Sequence, residues 1–136
     1  MVYWIEKNNW LAWILTILLA AWIFYVSTWT FELGTPSGFP FKAITYHIGA
    51  FFLLALFMMI ASSRGKKIDW IFFSLLFAVF YSITDELHQY FVPGRDSSLR
   101  DILLDSLGAI FAFLIYYISI EWRNGKTHLK WIKKKN

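Results

Sequence analysis

Four apolar segments, at residues 10–26, 44–61, 70–91 and 102–120, each come close to the ~20 residues a helix needs to cross the hydrocarbon core of a bilayer. In lipid every backbone N–H and C=O must be satisfied internally, so runs of this kind fold as helices. Composition agrees. Of 136 residues, 58% are hydrophobic and 16% charged, with Trp 8 and Phe 14, which is too apolar for a soluble domain of this size. The expected fold is all-α: an integral membrane four-helix bundle formed by residues 1–136 as a single unit, with a basic tail at 121–136. The first segment exceeds the usual apolar core of a signal peptide, carries only Glu6 and Lys7 on its flank, and lacks a clear A-x-A cleavage site. It reads as a retained helix.

The connecting stretches are short. Ser27–Ala43 contains Gly34, Pro36, Gly38 and Pro40, Ser62–Asp69 contains Arg64, Lys66 and Lys67, and Val92–Asp101 opens on the turn pair Pro93-Gly94. Four crossings place both termini and the 62–69 stretch on one side. Of the Lys+Arg 13, all but Lys42, Arg95 and Arg100 fall there, so the positive-inside rule predicts that both termini are cytoplasmic. The lysines from Lys130 to Lys135 suit an anionic membrane face. No nucleic-acid-binding motif accompanies them, so the bilayer, and not nucleic acid, is the expected partner. Cys 0 excludes disulfides, thiolate chemistry and cysteine metal sites. No Walker loop, G-x-S-x-G elbow, H-E-x-x-H or dinucleotide fingerprint occurs.

Against this background the run from Thr84 to Arg95, continuing to Asp101, Asp105 and Gly108, stands out. Ionisable groups in a membrane segment need partners, water or a ligand, which makes such a cluster the default functional site. On the third segment Ser74, Ala78, Tyr81, Asp85 and His88 recur at helical spacing. On the fourth Asp101, Asp105, Gly108 and Ala112 do so, and on the second His47, Ala50 and Leu54. These stripes of small and polar residues are expected to meet in the bundle centre. Asp85 shares a face with His88 and Gln89, while Glu86 is turned about 100° away, so Asp85 is the expected inward carboxylate.

The stripes bring His47, Asp85, Gln89, Arg95, Asp101 and Asp105 to one cup on the side opposite the termini. Carboxylates beside a histidine could ligate a divalent cation or work as a general acid/base pair, with His47 and Asp85 the candidates for catalysis. Arg95 and Arg100 could grip a phosphate. The structural alternative is that Asp85 and Asp105 pair with Arg95 or Arg100 and lock the 92–101 stretch over the bundle mouth. Ser98 and Asp101 also fit a capping box at the start of the fourth helix. Trp4, Trp10, Trp29, Trp70 and Trp122 lie near expected helix ends, where indoles anchor at the headgroup level. His128 lies in the basic tail and is expected to be solvated.

The pattern Asp85-Glu86-x-x-Gln89-x-Phe91-x-Pro93-Gly94-Arg95, followed by Asp101-x-x-x-Asp105-x-x-Gly108, resembles the signature of the VanZ-like membrane proteins. Lys42 and His47 extend the resemblance, which covers about Lys42 to Tyr117. It implies a bacterial cell-envelope protein linked to glycopeptide (teicoplanin) resistance. It also implies a set of ligand-binding positions comprising Lys42, His47, Asp85, Glu86, Gln89, Arg95, Asp101 and Asp105; His88 falls between motif positions. The function expected first is binding of an envelope lipid or glycan headgroup, or a glycopeptide, in the outward cup. An enzyme acting on a lipid-linked phosphate is the alternative. A small transporter or proton relay fits less well, because the opposite halves of the helices lack a matching charged path.

Overall fold

The computed structural model describes residues 2–29, 41–95 and 97–135, with side chains over 4–29, 41–95 and 97–125. It contains α1 (Val2–Lys7), α2 (Asn9–Ser27), α3 (Phe41–Ser63), α4 (Ile68–Tyr90) and α5 (Leu99–Lys135), with no strand among the described residues. Four of these helices are long and apolar enough to cross a membrane, the fourth over Leu99–Gly125. The chain is an all-helical, multi-pass membrane protein. Most helix ends lie one to three residues outside the apolar segments, while α4 stops at Tyr90, one residue inside its own. The largest departure is at the C-terminus, where the basic stretch expected as a tail continues α5 to Lys135. The short α1 has no counterpart among the expected helices.

Helix α3 lies at the centre and packs against every other helix. Its crossing with α5 is close because small residues face it: Ala55, Ala109 and Ala112 are fully buried. Gly108 is required there, since a Cβ would overlap the backbone carbonyl of Ile48 and press on the Phe52 nitrogen at 3.0 Å. Tyr116 and Ile120 on α5, Met59 and Ile60 on α3, Ile71 on α4 and Ala12 on α2 complete one apolar cluster. Ile23, Phe51, Leu54 and Met58 form a second. Buried hydroxyls are satisfied back along their own helices, as Thr16 donates to the Ala12 carbonyl at 2.8 Å and Ser63 to that of Met59 at 2.7 Å. Tyr81 donates to the Ala20 carbonyl at 2.7 Å, tying α4 to α2.

The outer surface is apolar. Ile17, Leu18, Phe73, Phe77, Phe80, Ile115 and Ile118 are 58–63% exposed, a girdle that lipid covers without penalty and that water would not tolerate. Trp4, Trp10, Trp29 and Trp70 are likewise exposed near helix ends, and Trp122 is exposed near the end of the membrane-crossing stretch of α5.

Two turns set the ends of the bundle. Arg64 (φ 51) and Gly65 (φ 69) adopt the left-handed conformation that stops α3, with the Lys66 N–H returning to the Ser63 carbonyl at 3.0 Å. After α4, Pro93 and Gly94 (φ 80) form a tight reversal closed by the Arg95 N–H on the Val92 carbonyl at 3.1 Å. Proline supplies the fixed φ and glycine the positive one. This second turn aims Arg95 back toward the bundle.

Candidate functional site

At the end of the bundle where α2 and α4 finish and α3 and α5 begin, three carboxylates are buried: Asp85, Glu86 and Asp105, at 5%, 1% and 0% exposure. The α3–α5 crossing at Gly108 holds Asp105 within reach of His47, whose Nδ1 lies 2.9 Å from Asp105 Oδ1. The other oxygen of Asp105 accepts from the Ser82 hydroxyl at 2.8 Å. Asp101, one turn earlier on α5, places Oδ2 3.9 Å from His47 Nε2. His47 is therefore flanked by a carboxylate on each ring nitrogen.

A second chain of contacts runs along α4. Gln89 donates to Asp85 Oδ2 at 2.9 Å and accepts at Oε1 from Arg95 Nη2 at 2.8 Å. The glutamine thus separates the carboxylate from the guanidinium. The lock expected from direct pairing of Asp85 or Asp105 with Arg95 or Arg100 does not form: among the described residues the ion pairs are His47 with Asp101, His47 with Asp105, and Arg123 with Glu6. Arg100 is exposed, and its backbone N–H donates to Ser98 Oγ at 3.2 Å, so Ser98 does cap α5.

Glu86, whose side the helical spacing leaves open, is buried as well. A 100° turn away from Asp85 would leave it outside on a helix with one neighbour, but α4 meets both α3 and α5 here, so the buried face is wide enough to include it. Its Oε2 accepts from the Ser98 backbone N–H at 2.8 Å. Its Oε1 has no hydrogen-bond partner, and neither do Asp85 Oδ1, the Tyr46 hydroxyl or Arg95 Nε, all of them buried. The Ser27 hydroxyl lies beside Asp85 but is donated to the Phe24 carbonyl at 2.7 Å. Unsatisfied buried polar atoms concentrated at one place are costly and call for a partner such as water, an ion or a ligand.

Beside these groups lies a cavity of about 290 Å³ lined by Trp22, Val26, Lys42, Ala43, Tyr46, His47 and Arg95. Its floor carries polar groups and its α2 wall is apolar. His88 takes no part in it, packing against Phe24 with ring centroids 4.5 Å apart, near Ser27. The structure thus gathers His47, Asp85, Glu86, Gln89, Arg95, Asp101 and Asp105 into one end of the bundle, with Lys42 on the cavity rim. Ser82, Tyr46, Trp22 and Val26 join them without having been singled out. Ser82 follows Ala78 at helical spacing and lies three residues before Asp85, so its position on the stripe was a usable signal.

The opposite end holds a separate cluster that sequence reasoning missed. Glu6, 6% exposed, receives both Nη atoms of Arg123 at 2.7 Å and the Tyr116 hydroxyl at 2.9 Å. The Ser63 hydroxyl lies 3.2 Å from that of Tyr116. Gly65 sits against the Glu6 carboxylate, where a Cβ would lie 2.7 Å from it. This bidentate pair ties α1 to α5 and to the α3–α4 turn.

A family model described as VanZ/LLP1 matches residues 11–120. The chain belongs to the VanZ/LLP1 family. No curated protein and no solved structure matches it. In this VanZ/LLP1 protein the matched span begins within α2, earlier than the motif residues alone, and takes in the whole buried polar mouth. Glu6 and Arg123 lie outside it.

Proposed function

We propose that this VanZ/LLP1 protein resides in a bacterial cell membrane with both termini cytoplasmic, and that its outward mouth holds the anionic headgroup of an envelope lipid or lipid-linked glycan. The observation that carries the reading is the cavity lined by Lys42, Arg95, Tyr46 and His47 on one side and by Trp22 and Val26 on the other. Two cations suit a phosphate, and an apolar wall continuous with the lipid-facing surface of α2 suits the stem of an amphiphile. The basic residues, which concentrate at the end holding Glu6, Arg64 and Arg123, support this orientation. Occupation of an envelope headgroup would alter what a glycopeptide antibiotic meets at the surface, which is the link to teicoplanin resistance that the family resemblance suggests.

Native mass spectrometry of the purified chain with a short-chain polyprenyl phosphate tests the reading. One lipid per chain, lost on Lys42→Ala and Arg95→Ala and not replaced by a zwitterionic lipid, supports it; equal retention of both lipids by all three proteins contradicts it. A second reading, hydrolysis of the bound phosphate ester, is favoured by the imidazole of His47 held on the buried Asp105, an arrangement suited to general acid/base work. Release of inorganic phosphate from the same lipid separates turnover from binding.

A further inference from the structure

Three buried carboxylates around one imidazole, with the nearest guanidinium held off by Gln89, outnumber the basic side chains that the described residues place against them. Carboxylates so placed demand neutralisation, by a proton or by a cation. An anionic headgroup in the adjoining cavity makes that demand larger.

The side chains are already arranged as ligands. His47, Glu86 and Asp105 each offer a ligand atom, and those atoms lie within 4.8 Å of one another. The 2.9 Å between His47 Nδ1 and Asp105 Oδ1 is close to the separation of two adjacent ligands bound at about 2.0–2.2 Å from one ion. Each carboxylate has one oxygen fixed by a neighbouring donor, Asp105 Oδ2 by Ser82 and Glu86 Oε2 by the Ser98 N–H. Glu86 is 1% exposed, and its remaining oxygen, Oε1, has no partner. Outer contacts that hold one oxygen and leave the other turned inward are what orients carboxylate ligands. Two ligands on one such ion lie at most about 4.2 Å apart, so the widest separation in the trio closes by a small side-chain rotation.

We propose that His47, Glu86 and Asp105 bind a divalent transition-metal ion, with Asp101 as the residue that positions the imidazole. A mixed nitrogen and carboxylate set suits Zn²⁺ or Mn²⁺ better than Ca²⁺ or Mg²⁺, which favour oxygen ligands alone. Binding through Nδ1 moves the ring proton to Nε2, and Asp101 Oδ2, on that side at 3.9 Å, has to approach by about 1 Å to accept a hydrogen bond from it. The metal site rests on these side chains alone; its use in holding a phosphate headgroup rests on the function proposed above.

The test is a titration of the chelator-treated full chain in detergent, carrying no histidine tag, with Mn²⁺ followed by electron paramagnetic resonance and with Zn²⁺ followed by calorimetry, no lipid added. The expected result is one ion per chain for at least one of the two metals. Affinity should fall roughly tenfold or more in Glu86→Gln and Asp105→Asn, and stay unchanged in Glu121→Gln. Glu86→Gln alone decides the matter if Asp105→Asn fails to fold, because it keeps the Ser98 contact. No stoichiometric ion of either metal on the folded protein, or undiminished binding in Glu86→Gln, overturns the proposal. Retention of polyprenyl phosphate measured with and without EDTA distinguishes the two ideas. Metal bound without lipid retention refutes the headgroup reading and leaves the metal site standing, whereas lipid retained by a chain that binds no metal does the reverse.

Discussion

Arg95 Nη2 donates to Gln89 Oε1 at 2.8 Å, and through this contact the only described cation aimed back over the mouth by the Pro93-Gly94 turn is kept from pairing with Asp85. The amide satisfies a donor on one side and an acceptor on the other, so both charges keep an unpaired atom, Asp85 Oδ1 and Arg95 Nε. A direct salt bridge would have consumed them.

Replacing the amide exposes that dependence. Gln89→Leu removes both hydrogen bonds at once and should lower stability by roughly 1–3 kcal/mol. Thermal unfolding in detergent measures it. A melting temperature equal to the parent's would mean that the relay contributes nothing to the fold.

The close α3–α5 crossing makes a sharper prediction about glycine. Gly108→Ala forces a methyl group onto the Ile48 carbonyl and should cost about 1–3 kcal/mol through overpacking. It should also shift His47 away from Asp105. Gly49 has nothing within 4 Å of a Cβ, so Gly49→Ala should be neutral or slightly stabilising. Equal melting temperatures for the two variants would refute the crossing.

The Glu6–Arg123 pair at the other end should behave as a structural clasp. Its glutamate is buried and its arginine about one-third exposed, with side-chain accessibilities of 5% and 34%. Removing the arginine head in Arg123→Met should therefore destabilise by about 3 kcal/mol, the lower end for a broken buried pair. Limited proteolysis should then cut near α1 sooner than in the parent. Headgroup binding at the far mouth should be unaffected.

Sidedness can be read with reporters fused after Gly65 and after Ser97. The account expects a cytoplasmic signal from the first and an external one from the second; the reverse pattern would invert the bundle.

Much of the architecture was legible because bilayer thickness and backbone hydrogen bonding leave a chain this apolar few choices. The stripes through Asp85, Asp105 and His47 were legible for a related reason, since helical spacing alone puts those residues on inward faces. Spacing alone does not fix the side on which Glu86 lies, because a helical wheel gives direction but not how many neighbours surround it. Gln89 looked like a companion of Asp85, and only the tertiary turn at Pro93-Gly94 shows that it also intercepts Arg95. Glu6 and Arg123 carried no pattern at all, being far apart in sequence and brought together by the whole bundle. The basic stretch after residue 120 read as a tail because apolar periodicity ends there, yet α5 continues, as a helix can when its own backbone bonds carry it beyond the apolar run.

The central claim is that the polar mouth exists to hold a ligand and not to lock the fold. Its most direct test is polyprenyl phosphate retention by the triple variant Asp85→Leu, Gln89→Leu, Arg95→Leu, measured by native mass spectrometry beside its melting temperature. Apolar replacement of a whole buried polar chain is often neutral or stabilising, so the account predicts a folded protein, melting within a few degrees of the parent or above it, that no longer retains the lipid. A folded triple variant that retains the lipid as the parent does would contradict it.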